Sequence, residues 1–356
     1  MMQKEYLFAC EGCGAKLKFS TSEGDLKCEH CSHINHIQRD TLNIVEKEYE
    51  KAISMLKEQG EKKIEINSIK CQSCAAVFEL KEDIHASTCP YCDSAIVNET
   101  EFYRPLQPQA LLPFKIAQEE AVKKFKEWIE GRWFAPDRLK KMSTTTKLNA
   151  LYIPHWTYDS DTHSSYRGRR GDKYYENENY TQTVDGKEEI KTRKVEKIRW
   201  HDVSGELSKD FNDLLVMASK SLKHTLSSWD LENLVDYDEA YLSGYESEVY
   251  TLELEEGLVF AKNSMQLQIR GAINTQIGGD EQEITLLETS YANITYKQIL
   301  LPIYASAFKF DNKVYSYVIN GRNGDISGDR PYSKVKIALV VVASLSVIAA
   351  LIYFFS

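Results

Sequence analysis

Eight cysteines in four Cys-x-x-Cys pairs are the residues whose type and spacing most directly indicate chemistry. They are Cys10, Cys13, Cys28, Cys31, Cys71, Cys74, Cys89 and Cys92. Fourteen residues separate the two pairs in each half of the set. Each pair can present two thiolates to one ion, and two pairs complete a tetrahedron at ~2.3 Å per zinc–sulfur bond. The pattern predicts two structural zinc ions, each closed by four thiolates and without an open position for catalysis.

Two other roles for residues in these segments are less favoured. Cys89-Pro90-Tyr91-Cys92 is also the dithiol motif of glutaredoxins, which requires a helix beginning at the motif. Residues Asp93–Val97 instead favour a strand or a loop. His30, His33 and His36 could compete as ligands. Because four thiolates already saturate the ion, we interpret these three as surface histidines.

The length of 356 residues predicts two or three domains, at about 100–200 residues per domain. A cysteine module of roughly 25–30 residues is too small for a hydrophobic core and should need its metal to fold. We expect an α+β domain with antiparallel strands after two small zinc ribbons. The expected parts are zinc ribbon 1 at 1–40, a connecting helix at 41–60, zinc ribbon 2 at 61–100, a Pro-containing linker at 101–114, the α+β domain at 115–330 and a transmembrane helix at 337–355.

Hydrophobic periodicity places helices and strands along this chain. The predicted helices are Thr41–Gln59, Phe114–Ile129, Asp210–Leu222 and Leu254–Asn274. The predicted strands are Leu148–Tyr166, Ile190–Val203, Ile284–Tyr296, Leu300–Phe310 and Lys313–Ile319. Residues Gly168–Lys187 have no periodicity and are interpreted as a polar insertion.

A faint internal echo has two explanations. Ile153-Pro154-His155-Trp156, leading to Gly168–Asp172, resembles Leu301-Pro302-Ile303-Tyr304, leading to Gly321–Asp325. The two stretches could be duplicated strand-and-turn units of one domain, or the similarity could be chance.

Residues Ile337–Phe355 are 19 consecutive positions without a charge. As a helix they span roughly 28 Å, close to the ~30 Å hydrocarbon thickness of a bilayer. A buried C-terminal helix is the alternative, but such a helix normally shows a polar stripe, which this run lacks. The sequence therefore predicts a single-pass transmembrane helix that binds the lipid bilayer.

Charge and position predict the orientation of this helix. Arg330, Lys334 and Lys336 precede it, so the positive-inside rule predicts that the body lies in the cytoplasm of a cell-membrane protein anchored by its tail. The N-terminus lacks the apolar run of a signal peptide, which agrees with a reducing cytosol in which cysteines bind metal.

The remaining polar residues indicate little catalysis. His155, His163 and His201 lie near aspartates in sequence, but neither a Gly-x-Ser-x-Gly elbow nor a His-Glu-x-x-His motif is present. The basic cluster at 167–173 is followed at once by Glu176 and Glu178, which favours a solvated loop of mixed charge. We expect that the protein is not an enzyme.

The cysteine knuckles lead to a resemblance. Cys10-Glu11-Gly12-Cys13-Gly14 with Cys28-Glu29-His30-Cys31 looks like a zinc ribbon of the transcription factor IIB type. Nearly the whole chain resembles a bacterial family of zinc-ribbon proteins often labelled replication-restart, or primosomal protein N′-like, helicases. Further stretches that carry the resemblance are Trp133–Pro136, Tyr152–Trp156, Tyr166–Gly171, Ile277–Asp280, Leu300–Pro302, Val318–Gly321 and Gly328–Lys334.

The helicase label does not suit this sequence, because the phosphate-cradling pattern Gly-x-x-x-x-Gly-Lys-[Ser/Thr] is absent. Membrane-anchored members of the family look like the zinc-ribbon partner of phage-shock and SPFH-type envelope-stress proteins. That resemblance implies a scaffold that recruits such protein partners to the membrane.

Charge separates this scaffold from a nucleic-acid-binding alternative. The chain carries a formal charge of −9. Cys10–Cys31 has three lysines against four acidic residues, and Cys71–Cys92 has one lysine against three. Four thiolates add two negative charges to each zinc site, whereas phosphate binding needs positive charge. The sequence favours protein–protein interaction over a nucleic-acid role in replication or transcription.

Overall fold

The computed structural model of the chain describes residues 8–38, 44–58, 65–71, 76–79, 89, 91, 94, 99–103, 106–142, 148–184, 187–311 and 313–355. Its N-terminal elements are β1 (Leu17–Ser20), β2 (Asp25–Cys28), β3 (Ile34–Asn35), β4 (Lys47–Glu48), α1 (Tyr49–Glu58), β5 (Glu65–Lys70), β6 (Val77–Glu79) and β7 (Glu99–Tyr103). Strands β1, β2 and β3 form one antiparallel three-stranded sheet, and β6, β5 and β7 form another. Helix α1 is shorter than the predicted helix over Thr41–Gln59, because β4 pairs with the central sheet instead.

The central domain contains a nine-stranded mixed sheet. Its elements are β8 (Ala110–Leu111), α2 (Gln118–Glu130), α3 (Asp137–Met142), β9 (Asn149–Val184), β10 (Lys187–Met217), β11 (Val235–Asp236), β12 (Glu246–Ser247), α4 (Leu254–Ile277), β13 (Glu281–Phe310), β14 (Lys313–Asn320) and β15 (Ile326–Gly328). The main path β10–β9–β13–β14–β15 is antiparallel, as expected, whereas the short strand β8 runs parallel to β13 and the short strand β12 runs parallel to β9.

The sheet and its helices are built from two units with the same element order. Each has a short strand, a helix and two long strands, which are β8, α2, β9 and β10 in the first unit and β12, α4, β13 and β14 in the second. The long strands β9 and β13 pair at the centre, where Ile153 lies opposite Leu301. Each short strand pairs with the long strand of the other unit, so neither unit completes its own sheet.

Hydrogen bonds repeat across this central pair. The Trp156 indole donates to the Leu252 carbonyl at 2.8 Å, and the Tyr304 hydroxyl donates to the Ile116 carbonyl at 2.7 Å. The backbone bonds correspond in the same way. The bond from Leu112 N to Leu300 O corresponds to the bond from Glu248 N to Tyr152 O. The bond from Ala218 N to Pro154 O corresponds to that from Gly321 N to Pro302 O, and the bond from Leu252 N to Ala218 O corresponds to that from Ile116 N to Gly321 O. The two units are therefore related by an approximate two-fold axis between β9 and β13.

This symmetry resolves the internal echo. The stretches beginning at Ile153 and Leu301 occupy equivalent places beside the axis, which favours duplicated units over chance. The later parts of the echo are not equivalent, because Gly168–Asp172 lies within β9 whereas Gly321–Asp325 contains the turn after β14. The equivalent of Gly321 is Ala218, which the repeated hydrogen bonds identify and the sequence comparison missed.

The predicted polar insertion at Gly168–Lys187 is wrong. Residues 168–184 continue β9 and Lys187 begins β10, while residues 185 and 186 lie outside the described structure. The two strands stay paired from Val184 and Lys187 back to the domain. Beyond Gly171, the last residue of β9 paired with β13, this hairpin is only two strands wide within the described structure. Thirteen residue pairs at ~3.3 Å each make a β-arm, residues 172–199, roughly 40 Å long.

The predicted helix over Asp210–Leu222 is also wrong, because Asp210–Met217 completes β10. A β-bulge shifts the register between Phe211 and Leu214, and Asp213 within it has φ of 50°. The extra residue places Phe211 and Leu214 on the same face of the sheet. Apolar residues three apart then have the spacing of a helix, although they belong to a strand.

Residues 101–114 are not a linker, since Glu99–Tyr103 belongs to β7 and Ala110–Leu111 to β8. Ala110, Leu111 and Leu112 are fully buried in the sheet core. The other helix predictions are confirmed by α2 and α4, although α2 begins at Gln118 rather than Phe114. Gly278, at φ of 67°, ends α4. The two predicted strands within residues 284–310 form the single strand β13.

The last helix, α5 (Lys334–Phe355), is long and apolar enough to cross a membrane, with a mean hydropathy of 2.7 over its most apolar 18 residues. None of these 18 residues is buried against the described part of the chain. A buried core helix, the alternative considered for this run, is therefore not what the structure contains.

Close packing of α4 on the sheet gives a stability prediction. A Cβ on Gly257 would lie 2.9 Å from Trp156 Cδ1 and would also collide with the Tyr158 hydroxyl. We expect Gly257→Ala to lower the free energy of unfolding by ~1–3 kcal/mol through overpacking. Gly271 lies in the same helix with open space at its Cβ, so Gly271→Ala should stabilise by ~0.5–1 kcal/mol. Denaturant unfolding of the full chain in detergent measures the free energy of unfolding of both variants. Equal changes in Gly257→Ala and Gly271→Ala would contradict the close contact at Gly257.

Candidate metal centre

The first four cysteines lie at two turns of the N-terminal sheet. Cys10 and Cys13 flank the turn before β1, Cys28 ends β2, and Cys31 lies in the turn that leads to β3. Gly14 at φ of 70° and Ser32 at φ of 61° follow the second cysteine of each pair. A left-handed residue at this point turns the backbone back so that both sulfurs of a pair face the same side.

The same backbone hydrogen bond occurs at all four Cys-x-x-Cys pairs. The N–H of the first cysteine donates to the carbonyl five residues later at 2.8 or 2.9 Å. The bonds are Cys10 to Ala15, Cys28 to His33, Cys71 to Ala76 and Cys89 to Ser94. Cys71 and Cys89 therefore make the same backbone contact as Cys10 and Cys28, although Cys74 and Cys92 lie outside the described residues.

The sulfur atoms of the first set converge on a point. The Sγ atoms of Cys10 and Cys31 are 3.6 Å apart, and those of Cys13 and Cys28 are 3.5 Å apart. All four lie within 4.8 Å of one another. Ligands at ~2.3 Å around a tetrahedral ion are about 3.8 Å apart, whereas a disulfide requires about 2.05 Å. The arrangement fits four ligands of one metal ion.

Thiol ionisation is uneven within this set. The backbone N–H of Cys31 is the strongest influence on Cys28 and helps to lower the pKa of that thiol to about 6. The His33 N–H lowers the pKa of Cys31, but the hydrogen bond with Cys13 and burial outweigh it and raise the pKa to about 12. Four thiolates together need a compensating cation, which a divalent metal supplies.

In the second set, Cys71 and Cys89 are buried. The predicted four-thiolate site from Cys71, Cys74, Cys89 and Cys92 stays a prediction, because two of its ligands lie outside the described residues. The histidines near the first set take no part in the convergent cluster. His36 is exposed and its Nδ1 is 2.8 Å from Asp25, while His30 and His33 are also exposed.

The first module packs directly against the central domain rather than projecting from it on a linker. The Phe19 N–H donates to the Ser243 carbonyl at 3.0 Å, and the Ser243 hydroxyl donates to the Leu17 carbonyl at 2.7 Å. The rings of Phe19 and Tyr241 lie 5.3 Å apart. The metal cluster is therefore held at a fixed place on the domain surface.

The second module is fixed by a buried carboxylate. Glu248 is only 1% exposed and directly follows β12. It accepts hydrogen bonds of 2.6 Å from the hydroxyls of Tyr91, Ser219 and Ser221. Tyr91 lies between Cys89 and Cys92 in sequence, so one side of the second cysteine set is bonded to the centre of the domain. Sequence analysis missed Glu248, whose only signal is an acidic residue next to the apolar Val249 and Tyr250.

A second group of acidic residues was also missed. Glu46, Asp159 and Asp213 bring carboxylate oxygens within 4.8 Å of one another. The buried Lys297 Nζ lies 2.8 Å from Glu46 and 2.7 Å from Asp213, so an ammonium group offsets one of the negative charges of this group. Hydrogen bonding with Asp159 is the main cause that lowers the Glu46 pKa to about 2, while burial raises the Asp159 pKa to about 6.

The other predicted polar residues are dispersed. His155 is buried, with its pKa lowered to about 4 by desolvation, while His163 and His201 are exposed. The basic cluster lies on strand β9 and not in a loop. Three of its members are ion-paired, in the contacts Arg169 to Glu283, Arg170 to Asp172, and Lys173 to Glu196 and Glu281, and Arg167 is exposed.

The convergent sulfurs predict metal content. We expect the purified full chain to contain two zinc ions and Cys13→Ser to contain one, because the second set is untouched. His30→Ala, next to a ligand but exposed, should retain two. Atomic absorption on detergent-purified protein measures this. A single zinc in the unaltered chain, or two in Cys13→Ser, would contradict the assignment.

The buried carboxylate predicts a large effect from one oxygen atom. Tyr91→Phe should lower the free energy of unfolding by ~1.5–3 kcal/mol, because Glu248 loses a donor where water has no access. Tyr175 donates to Glu196 at 3.1 Å but is 67% exposed, so Tyr175→Phe is a matched control with an effect below ~0.5 kcal/mol. In a Glu248→Gln background the effect of Tyr91→Phe should shrink; an unchanged effect would show that the two side chains are not coupled.

Comparison with known proteins shows one relative that is similar over most of the chain. No protein-family model matches the sequence, and no solved structure matches it. The uncharacterized protein YdjG of Bacillus subtilis (strain 168) is 24% identical over 340 residues. The alignment covers 93% of this chain and 92% of YdjG. The similarity therefore extends across the length of the chain and not one module alone.

Proposed function

We propose that the protein is a non-enzymatic, single-pass membrane scaffold that presents its zinc ribbons and central domain in the cytoplasm and recruits protein partners to the inner membrane face. The observation that carries the proposal is α5, an uncovered apolar helix that follows a folded body directly. An apolar surface of this size is stable in lipid and unfavourable in water.

The metal supports the body of this scaffold. A site closed by four thiolates offers no coordination position to a substrate, so zinc in it would act on folding and not on catalysis. The first cysteine module shares one hydrophobic cluster with the central domain, including Leu17 and Phe19 with Tyr241 and Leu242. Zinc would therefore shape part of the surface that a partner meets.

Several surfaces favour a protein partner. The β-arm leaves both of its strand edges without a neighbour in the described structure, and exposed edges accept strands from other proteins. It also exposes Tyr175 and Ile190. The resemblance to the zinc-ribbon partner of phage-shock and SPFH-type proteins supports a role in envelope stress.

The basic residues Arg169, Arg170 and Lys173 are ion-paired on the sheet, which leaves little positive charge there for nucleic acid. Together with the acidic balance of both cysteine modules, this makes a nucleic-acid-binding protein the second candidate. Arg322, whose side chain is 11% exposed, is also paired, with Asp230.

The test separates anchoring from recruitment. Leu345→Lys with Ile348→Lys places two charges at the centre of α5, each costing ~2.5–3.5 kcal/mol in lipid, so the chain should leave the membrane fraction. Leu345→Ile with Ile348→Leu is the matched control and should stay. Proteins that co-purify with the control in high salt should move to the soluble fraction with the charged variant.

Three outcomes are informative. A charged variant that remains in membranes after high-salt and alkaline washing contradicts the anchor. An anchored chain without salt-resistant protein partners contradicts recruitment. Binding of DNA or RNA that salt disrupts, without protein partners, would establish the second candidate instead.

A further inference from the structure

The loop between α2 and α3, residues 131–136, is bonded to the beginning of α5. The Ser333 N–H donates to the Phe134 carbonyl at 2.8 Å. The Lys336 ammonium donates to the Ala135 carbonyl at 3.0 Å and contacts Asp137 at 2.6 Å. These bonds hold the loop beside the first turn of α5, next to Ile337, where the uncharged run begins.

This position has an unusual concentration of exposed aromatic rings. Trp133 is 65% exposed and lies 6.0 Å from the ring of Phe134, and Tyr332 is 56% exposed. In contrast, Trp156 in the sheet is fully buried. Tryptophan and tyrosine are enriched at the boundary between lipid headgroups and hydrocarbon, where one end of the ring can be wet and the other dry.

Exposed cations lie around these rings. Arg330 stacks on Tyr332 at 5.1 Å, and Arg132 and Lys334 are exposed. The acidic Asp137 beside them is already paired with Lys336, and Asp311 is 3.8 Å from Arg138. The surface thus combines aromatic rings with positive charge, which matches a bilayer surface containing anionic lipid.

We propose that residues 131–136 and 330–333 form a collar that seats the body directly on the phospholipid headgroups, with Trp133 and Tyr332 inserted at the interface. The occupant is a bilayer rather than a protein, because the rings lie at the level where α5 would enter lipid. This inference rests on the proposed membrane span of α5. It adds that the body lies against the membrane in a fixed orientation and does not hang on a tether.

Tryptophan fluorescence tests the collar in the full chain. The protein is reconstituted into vesicles of phosphatidylethanolamine and phosphatidylglycerol, with or without phosphatidylcholine brominated on its acyl chains, which quenches only rings close to lipid. We expect brominated lipid to quench the unaltered protein and Trp133→Phe to lose most of that quenching. Trp200, 38% exposed on β10 just outside the β-arm, provides the control Trp200→Phe, which should keep the quenching.

The outcomes distinguish the two proposals. Equal quenching in Trp133→Phe and the unaltered chain, with both resistant to alkaline extraction from the vesicles, overturns the collar and leaves the membrane span intact. Extraction of the unaltered chain at alkaline pH overturns the span and the collar together. Loss of quenching only in Trp200→Phe would place this part of β10, and not the collar, at the bilayer.

Discussion

Strands β9 and β13 run antiparallel through the middle of the central sheet, and both of their faces are covered over residues 151–158 and 296–306. Each strand also accepts the short parallel strand of the opposite unit. The Trp156 and Tyr304 side chains then reach from this pair to the carbonyls that precede α4 and α2. This pairing positions the helices, the short strands and the cysteine modules. For example, Tyr91 of the second module bonds to Glu248, which directly follows the place where β12 pairs with β9.

The two cysteine modules have different relations to this core. The first is joined through an apolar contact at Phe19 and Tyr241, and the second through hydrogen bonds to a buried carboxylate. An unsatisfied buried carboxylate is costly, so the second contact is much less tolerant of change than the first. Packing against the domain thus constrains the segments of Cys71 and Cys89 more strictly than those of Cys10 and Cys28.

Local sequence patterns were sufficient to predict the elements that they determine. They were insufficient where pairing between residues far apart in the chain determines the structure. The convergence of Cys10, Cys13, Cys28 and Cys31 and the apolar helix after Lys334 follow from spacing and composition alone. The β-arm did not, because Gly168–Lys187 lacks alternation and its strands form through pairing with β10. The bulge at Asp213 gave Phe211 and Leu214 a helical spacing. Glu248 became visible only when Tyr91, 157 positions away, was brought beside it.

The approximate two-fold axis has a consequence for how such a domain can exist at all. A chain with only one unit of short strand, helix and long strands would leave a long strand unpaired, and could complete the sheet only by association with an identical copy. Joining both units covalently replaces that encounter with an intramolecular one at high effective concentration. Two units in one chain can also differ in sequence, so that one unit has Leu112 at the position where the other has Glu248. Glu248 therefore attaches a cysteine module at one side of the domain only. A symmetric pair of identical chains would have the same attachment residue on both sides.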